Sequence, residues 1–133
     1  MNPLSQRIVI LDDEEIFSFS VQHYLKKAGF TDIKWFESSD EFYSHLKSGF
    51  VPDVLLLDHF LNDEIGLDLL ENINKTHPQI KVIYLSAQKT ANIAVRALKL
   101  GAFAYQEKSI TDIKEIVELI KSDEPLGFLN SNS

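Results

Sequence analysis

Four consecutive apolar residues, Val-Leu-Leu-Leu at positions 54–57, narrow the folds open to this chain. A strand with one face in water alternates apolar and polar residues, whereas a strand covered on both faces is apolar throughout. Residues 54–57 therefore predict a central strand of a parallel sheet that carries helices on both sides. Asp58 ends this strand.

The rest of the chain repeats an alternation of strand-like and helix-like segments. Further short apolar runs predict strands at residues 8–11, 33–36, 82–85 and 102–105. Apolar residues at helical spacing predict helices at residues 14–28, 39–47, 66–75, 89–100 and 111–121. Because parallel crossovers are right-handed, this alternation permits few topologies. We predict an α/β fold, a flavodoxin-like doubly wound (βα)5 with a five-stranded parallel sheet in the order 2-1-3-4-5.

The length and composition suit one compact domain. The chain has 133 residues and an apolar fraction of 44 %, which provides enough apolar surface for a core. We assign residues 6–121 to this domain. Residues 122–133, which contain Pro125, Gly127 and a polar end, are predicted to be a flexible tail or the start of a linker.

Charge and cysteine content exclude several classes of function. The net charge of −7 argues against direct nucleic-acid binding, which needs clustered Lys and Arg. The chain has no Cys, so disulfides, thiolate metal sites and cysteine nucleophiles are excluded. It contains no apolar run of membrane-spanning length and no secretory signal at its start, so we expect a cytoplasmic protein without membrane contact.

Polar side chains follow the predicted strands at the edge where such folds place their sites. Asp12 and Asp13 follow the first strand, Asp58 the third, Ser86 the fourth and Lys108 the fifth. Carboxylates this close repel one another, and a divalent cation with hard oxygen ligands, Mg²⁺, relieves the repulsion. A Lys and a hydroxyl complete an arrangement suited to a phosphoryl group. Asp58, at the centre, is the best-placed nucleophile.

At this point the sequence resembles the response-regulator receiver family, of the chemotaxis-regulator type, over about residues 6–121. No single residue is specific, but the features occur in the expected order at the expected strand ends. They are Asp12-Asp13, Asp58, Gly66, Ser86-Ala87, Gly101-Ala102, Tyr105 and Lys108.

The resemblance implies a phosphorylation-activated switch. Asp58 would accept a phosphoryl group from a sensor histidine kinase or a histidine phosphotransfer domain. Asp13 would bind Mg²⁺ directly and Asp12 through water, and Asp58 with the backbone carbonyl of Phe60 would complete the protein ligands. The domain would regulate a partner and promote only its own phosphorylation and dephosphorylation, without acting as an enzyme on a separate substrate.

The same resemblance implies how the signal leaves the site. Ser86 would move toward the phosphoryl group, Lys108 would pair first with Asp58 and then with the phosphate, and Tyr105 would swing between exposed and buried positions. The surface of the fourth helix, fifth strand and fifth helix, residues 89–121, would change its affinity for a downstream protein or a fused output domain. Homodimerisation is left open.

Two residues depart from the family pattern. Ser109 stands where a proline usually follows the conserved Lys, often with a cis bond. A cis bond before a non-proline residue costs about 3–4 kcal/mol, so a trans bond and a redirected loop are the expectation. Phe60 is apolar where many relatives are polar, and we expect it to limit the access of water to the phosphoryl group. His59 is expected to have a supporting or exposed role.

Three other functions compete with the receiver interpretation. A haloacid-dehalogenase-type phosphatase needs a second Asp two residues after the first, where this chain has Glu14. A flavodoxin needs a phosphate loop rich in Ser, Thr and Gly after the first strand, where this chain is acidic. A degenerate receiver that binds partners without phosphorylation stays open, and phosphorylation by acetyl phosphate distinguishes it.

Overall fold

The protein folds around one five-stranded parallel sheet, described by a computed structural model over residues 3–88 and 90–123. The strands run in the order β2-β1-β3-β4-β5, which confirms the predicted fold class and order. They are β1 (Arg7–Leu11), β2 (Asp32–Phe36), β3 (Val54–Asp58), β4 (Lys81–Ser86) and β5 (Ala104–Glu107). The predicted tail at residues 122–133 lies outside the described residues from position 124 onward.

Five α-helices cover the two faces of this sheet. They are α1 (Glu15–Lys27), α2 (Ser39–Lys47), α3 (Gly66–Thr76), α4 (Ala91–Lys99) and α5 (Ile113–Lys121). Short 3₁₀ turns occupy Pro3–Ser5 and Ile110–Asp112. Apolar residues of α1 and α5 pack on one face, and those of α2, α3 and α4 on the other. No helix within the described residues is long and apolar enough to cross a membrane.

Strand β3 is buried along its whole length, as its continuous apolar run predicts. Leu55 and Leu57 belong to the core under α2, α3 and α4, and Val54 and Leu56 to the core under α1 and α5. Successive side chains of a strand point to opposite faces, so a strand between two cores must be apolar at every position. This burial fixes Asp58 at the carboxyl end of the central strand.

The predicted position of the fifth strand was wrong by two residues. The ladder with β4 begins at Ala104 and ends at Glu107, whereas the apolar run predicted residues 102–105. The backbone of Phe103 already donates to the Val82 carbonyl, so the chain joins β4 before the ladder starts. Residues 105–107 are half-buried at the sheet edge, where Gln106 is tolerated and apolar periodicity is a weak guide.

A small hairpin, Phe60–Leu61 paired with Glu64–Ile65, separates β3 from α3. Asn62 in its turn has a positive φ of 54°, which Asn adopts more readily than most residues. The amide of Gly66 donates to the carbonyl of His59 at 2.7 Å, closing the base of the hairpin. The sequence did not predict this hairpin.

Candidate phosphoryl-acceptor site

Three of the predicted site residues meet at the carboxyl edge of the sheet. The ammonium nitrogen of Lys108 lies 3.1 Å from Asp58 Oδ2 and 3.1 Å from Asp12 Oδ1. Asp12 follows β1, Asp58 ends β3, and Lys108 follows β5, so parallel strands bring together residues that are as much as 96 positions apart. The convergence expected from the strand ends is therefore present for these three side chains.

The site is closed to solvent at its centre. Asp12 is 1 % and Asp58 5 % exposed, and the Lys108 side chain is 5 % exposed. Burial, and next the negative charge of Asp12, raise the pKa of Asp58 from its ordinary value of 3.8 to about 7, although Lys108 opposes the rise. Burial also raises the pKa of Asp12. The cluster thus holds more negative charge than one ammonium neutralises.

Lys108 is held in its charged form by this cluster. Burial acts to lower the pKa of its ammonium group, but hydrogen bonding to Glu14 and the charges of Asp12 and Asp58 raise it above its ordinary value. The ammonium nitrogen also lies 5.1 Å from the centre of the Phe17 ring, which is a cation–π contact.

The donor set fits a hard divalent cation. Asp12, Glu14 and Asp58 each offer a carboxylate oxygen, and these oxygens lie within 4.8 Å of one another. Asp12 Oδ2 is buried and accepts no hydrogen bond within the described residues, although Lys108 Nζ lies 3.0 Å away in an ionic contact. The single ammonium of Lys108 faces three carboxylates, and the remaining negative charge would favour a further cation near this oxygen. Carboxylates are the ligands that Mg²⁺ selects.

Glu14 is a member of this cluster that the sequence analysis did not assign to the site. Its carboxylate contacts the Lys108 ammonium, and its backbone amide donates to Asp12 Oδ1 at 2.8 Å. The acidic run after β1 was the available signal, but it was interpreted as the start of a helix. In the structure Glu14 is therefore the third carboxylate beside Asp12 and Asp58, a position that the sequence analysis gave to Asp13.

Asp13 holds the hairpin turn in this structure. Its Oδ2 accepts a hydrogen bond from the backbone amide of Asn62 at 2.9 Å. In an antiparallel hairpin, hydrogen-bonded and non-hydrogen-bonded residue pairs alternate. His59 and Gly66 are joined by a hydrogen bond, so the next pair, Phe60 and Ile65, directs its backbone groups away from each other. The Phe60 carbonyl is therefore not used within the hairpin, and its role and that of Asp13 as ligands stay predictions.

The two predicted switch residues share one backbone acceptor. Ser86 Oγ donates to the Gln88 carbonyl at 3.2 Å, and Tyr105 donates its hydroxyl to the same carbonyl at 2.5 Å. The backbone of Lys108 donates to the Ser86 carbonyl at 2.8 Å. Tyr105 is half-buried in this arrangement, and its link to Ser86 through the Gln88 carbonyl was not predicted from the sequence.

Ser109 does not displace the lysine. The described residues contain no cis peptide bond, so the Lys108–Ser109 bond is trans, as its cost favours. Ser109 instead accepts a hydrogen bond from the Thr111 amide at 3.3 Å and begins the 3₁₀ turn before α5.

Two aromatic side chains support the site through hydrogen bonds that the sequence did not predict. Trp35, in β2, donates its indole N–H to the Asp12 carbonyl at 2.7 Å. His59 is 6 % exposed, and its Nδ1 shares a hydrogen bond with the Tyr84 hydroxyl at 2.5 Å. Burial, and then the charge of Arg96, lower the pKa of His59 and so favour its neutral ring. His59 therefore has the supporting role that was one of its two expected roles.

The sequence and the fold of this chain are similar to those of known proteins. The response regulator receiver domain family matches residues 8–121. The DNA-binding transcriptional regulator NtrC of Salmonella typhimurium is 36 % identical over 112 residues, which cover 84 % of this chain and 23 % of that protein. The chain thus spans about a quarter of the length of this curated relative.

Two solved structures share the fold. A response regulator from Thermotoga maritima aligns with a TM-score of 0.75 and 25 % identity, covering 89 % of this chain and 99 % of that one. A response regulator protein from Burkholderia pseudomallei aligns with a TM-score of 0.77 and 21 % identity, covering 90 % of this chain and 68 % of that one. These structures show the shared fold, and the match of the family over residues 8–121 shows that this chain belongs to the response regulator receiver domain family.

Proposed function

We propose that Asp58 accepts a phosphoryl group from a phosphohistidine of a sensor histidine kinase or a histidine phosphotransfer domain, in a Mg²⁺-dependent reaction. The observation that carries the proposal is the buried ammonium of Lys108, which bridges Asp58 and Asp12 at the ends of adjacent central strands. A buried cation beside two carboxylates suits a site that must take up additional negative charge.

The reaction follows from the side chains at the site. An oxygen of Asp58 attacks phosphorus, the bond from phosphorus to the donor nitrogen breaks, and that nitrogen keeps the electron pair. Lys108 stabilises the charge on the phosphoryl oxygens, since its ammonium already lies 3.1 Å from Asp58. Asp12, Asp58 and either Glu14 or Asp13 would hold Mg²⁺, which supplies positive charge to the phosphoryl oxygens when it is bound.

The shared Gln88 carbonyl supports a coupled switch. When Ser86 turns toward the phosphoryl group, this carbonyl loses one donor, and the hydrogen bond from Tyr105 becomes free to rearrange with it. The phosphoryl group can shift the equilibrium between the inactive and active conformations only by the difference between its interaction free energies with the two conformations. The face formed by α4, β5 and α5 then changes its affinity for a partner.

The relatives support this assignment at a coarser level. The Burkholderia pseudomallei protein carries a phosphorylated aspartic acid and a calcium ion, and NtrC is a DNA-binding regulator much longer than this chain. We propose that the chain acts on a downstream protein or a fused output domain as a regulatory phosphoacceptor and not as an enzyme. Its cytoplasmic location and its homodimerisation stay predictions.

Intact-mass measurement after incubation with acetyl phosphate and Mg²⁺ tests the proposal. We expect one added phosphoryl group in the wild type, none in Asp58→Ala, and none in the wild type when EDTA replaces Mg²⁺. Glu118→Gln, an exposed carboxyl change on α5, serves as the control and should be phosphorylated like the wild type.

The same measurement decides the degenerate-receiver alternative. A wild type without added mass, or an equal signal in Asp58→Ala, contradicts phosphoryl transfer to Asp58. Trp35 provides an independent measure of cation binding, because this single tryptophan donates to the Asp12 carbonyl. Mg²⁺ should change the fluorescence of Trp35 in both the wild type and Asp58→Ala. The affinity for Mg²⁺ obtained from this change should be weaker in Asp58→Ala.

A further inference from the structure

Three aromatic side chains form a continuous row from the core to the protein surface. The rings of Tyr84 and His59 meet edge to face with centroids 5.6 Å apart, and those of His59 and Phe60 meet edge to face at 4.5 Å. Tyr84 is fully buried, His59 is 6 % exposed, and Phe60 is 52 % exposed. The row therefore leads from the interior to a solvent-facing ring two positions after Asp58.

The inner half of this row is polar, which a simple packing role does not require. The Tyr84 hydroxyl, deep in the core, shares its hydrogen bond with His59 Nδ1 at 2.5 Å. Two apolar residues would fill this space without needing a hydrogen bond. A satisfied buried polar pair instead fixes one orientation of both rings, because any other orientation leaves a polar group without a partner.

The backbone around His59 is held equally firmly. Its amide donates to the Leu85 carbonyl at 2.8 Å, and its carbonyl accepts from the Gly66 amide at 2.7 Å. A Cβ added to Gly66 would lie 2.9 Å from the Tyr84 hydroxyl and would overlap the Asp58 carbonyl, so the three segments are in close contact. With both its backbone and its ring fixed, His59 offers Phe60 a rigid surface.

We propose that His59 is a positioning residue: oriented by Tyr84, its ring holds the side chain of Phe60 beside Asp58 and so limits the access of water to the phosphoryl group. This inference rests on the proposed function, since it concerns the lifetime of the phosphoryl group on Asp58. The Phe60 side chain projects from a two-residue strand and is half exposed, so the edge-to-face contact with His59 restricts a ring that solvent would otherwise leave free.

A set of dephosphorylation rates tests the proposal. After phosphorylation with acetyl phosphate and removal of the donor, Tyr84→Phe and His59→Leu should each lose the phosphoryl group about threefold faster than the wild type. His59→Asn keeps a polar atom near the Nδ1 position but has no ring, and it should match His59→Leu. Tyr43→Phe, which removes a hydroxyl that accepts a hydrogen bond from Asn72 between α2 and α3, should leave the rate unchanged.

A double variant separates positioning from a general structural effect. If His59 acts through Phe60, then His59→Leu added to Phe60→Ala should not change the rate of Phe60→Ala alone. An equal acceleration by His59→Leu in both backgrounds, or a wild-type lifetime in His59→Asn, overturns the proposal.

Nuclear magnetic resonance of the unphosphorylated protein gives a readout that needs no phosphoryl transfer. The ring resonances of Phe60 should shift in Tyr84→Phe and stay in place in Tyr43→Phe. Unchanged resonances in Tyr84→Phe overturn the positioning role. A wild type that takes no phosphoryl group contradicts the proposed function instead, and the resonance shifts still decide whether His59 positions Phe60.

Discussion

Replacing Asp58 by Asn should stabilise the fold when Mg²⁺ is absent, because the native site holds Asp58 in an unfavourable charged form. Burial and the Asp12 charge raise its pKa from 3.8 to about 7 in the folded protein. The folded state therefore binds more protons than the unfolded state between these values, and stability falls as pH rises through this window. At pH 8 the Asp58 carboxyl is charged and destabilises the folded state. Asn removes that charge and keeps the shape of the side chain.

The magnitude follows from the size of the shift. Each pKa unit corresponds to about 1.4 kcal/mol, so Asp58 alone should lower the free energy of unfolding by about 2–3 kcal/mol between pH 5 and pH 8. Because Asp12 titrates together with Asp58, the measured curve belongs to the pair. Asp58→Asn should be the more stable protein at pH 8, and the two proteins should converge toward pH 4.

Urea unfolding followed by circular dichroism at pH 5 and pH 8 in EDTA measures this difference. Glu118→Gln, an exposed carboxyl change, should follow the wild type at both pH values. Adding Mg²⁺ at pH 8 should raise the stability of the wild type much more than that of Asp58→Asn, since a ligand that binds the folded state stabilises it. A wild type as stable at pH 8 as Asp58→Asn in EDTA would refute the electrostatic reasoning.

Three further substitutions test the hairpin after β3, the close contact between Gly66 and Asp58, and the hydrogen bond from β4 to the end of α5. Phe60→Asn should accelerate dephosphorylation by admitting water, and an unchanged rate in a phosphate-release assay contradicts the proposed gating. Gly66→Ala should lower both the free energy of unfolding, by about 1–3 kcal/mol, and the phosphorylation rate, since a Cβ would overlap the Asp58 carbonyl; wild-type behaviour in both measurements argues against this contact. Lys81→Met should cost about 1–2 kcal/mol in urea unfolding, because Lys81 Nζ donates to the Ile120 carbonyl at 3.0 Å at the end of α5; an unchanged midpoint would show that this cap contributes nothing.

The sequence alone determined the architecture and the centre of the site. The fully apolar run before Asp58 marked the central strand, and the alternation of strands with helices left few topologies. Strand order then placed Asp12, Asp58 and Lys108 at one edge, where the Lys108 ammonium lies 3.1 Å from an oxygen of each carboxylate. This much is readable because periodicity and parallel topology depend on backbone geometry alone.

Only the tertiary structure decided which side chains surround that centre. Glu14 joins the Lys108 cluster while Asp13 holds Asn62, and Trp35 and His59 support the site through single hydrogen bonds. These contacts join residues up to 94 positions apart and depend on rotamers and on the path of the hairpin after β3. Local patterns of polarity do not encode such choices, because each side chain takes the orientation that satisfies its buried polar groups among the neighbours the fold supplies.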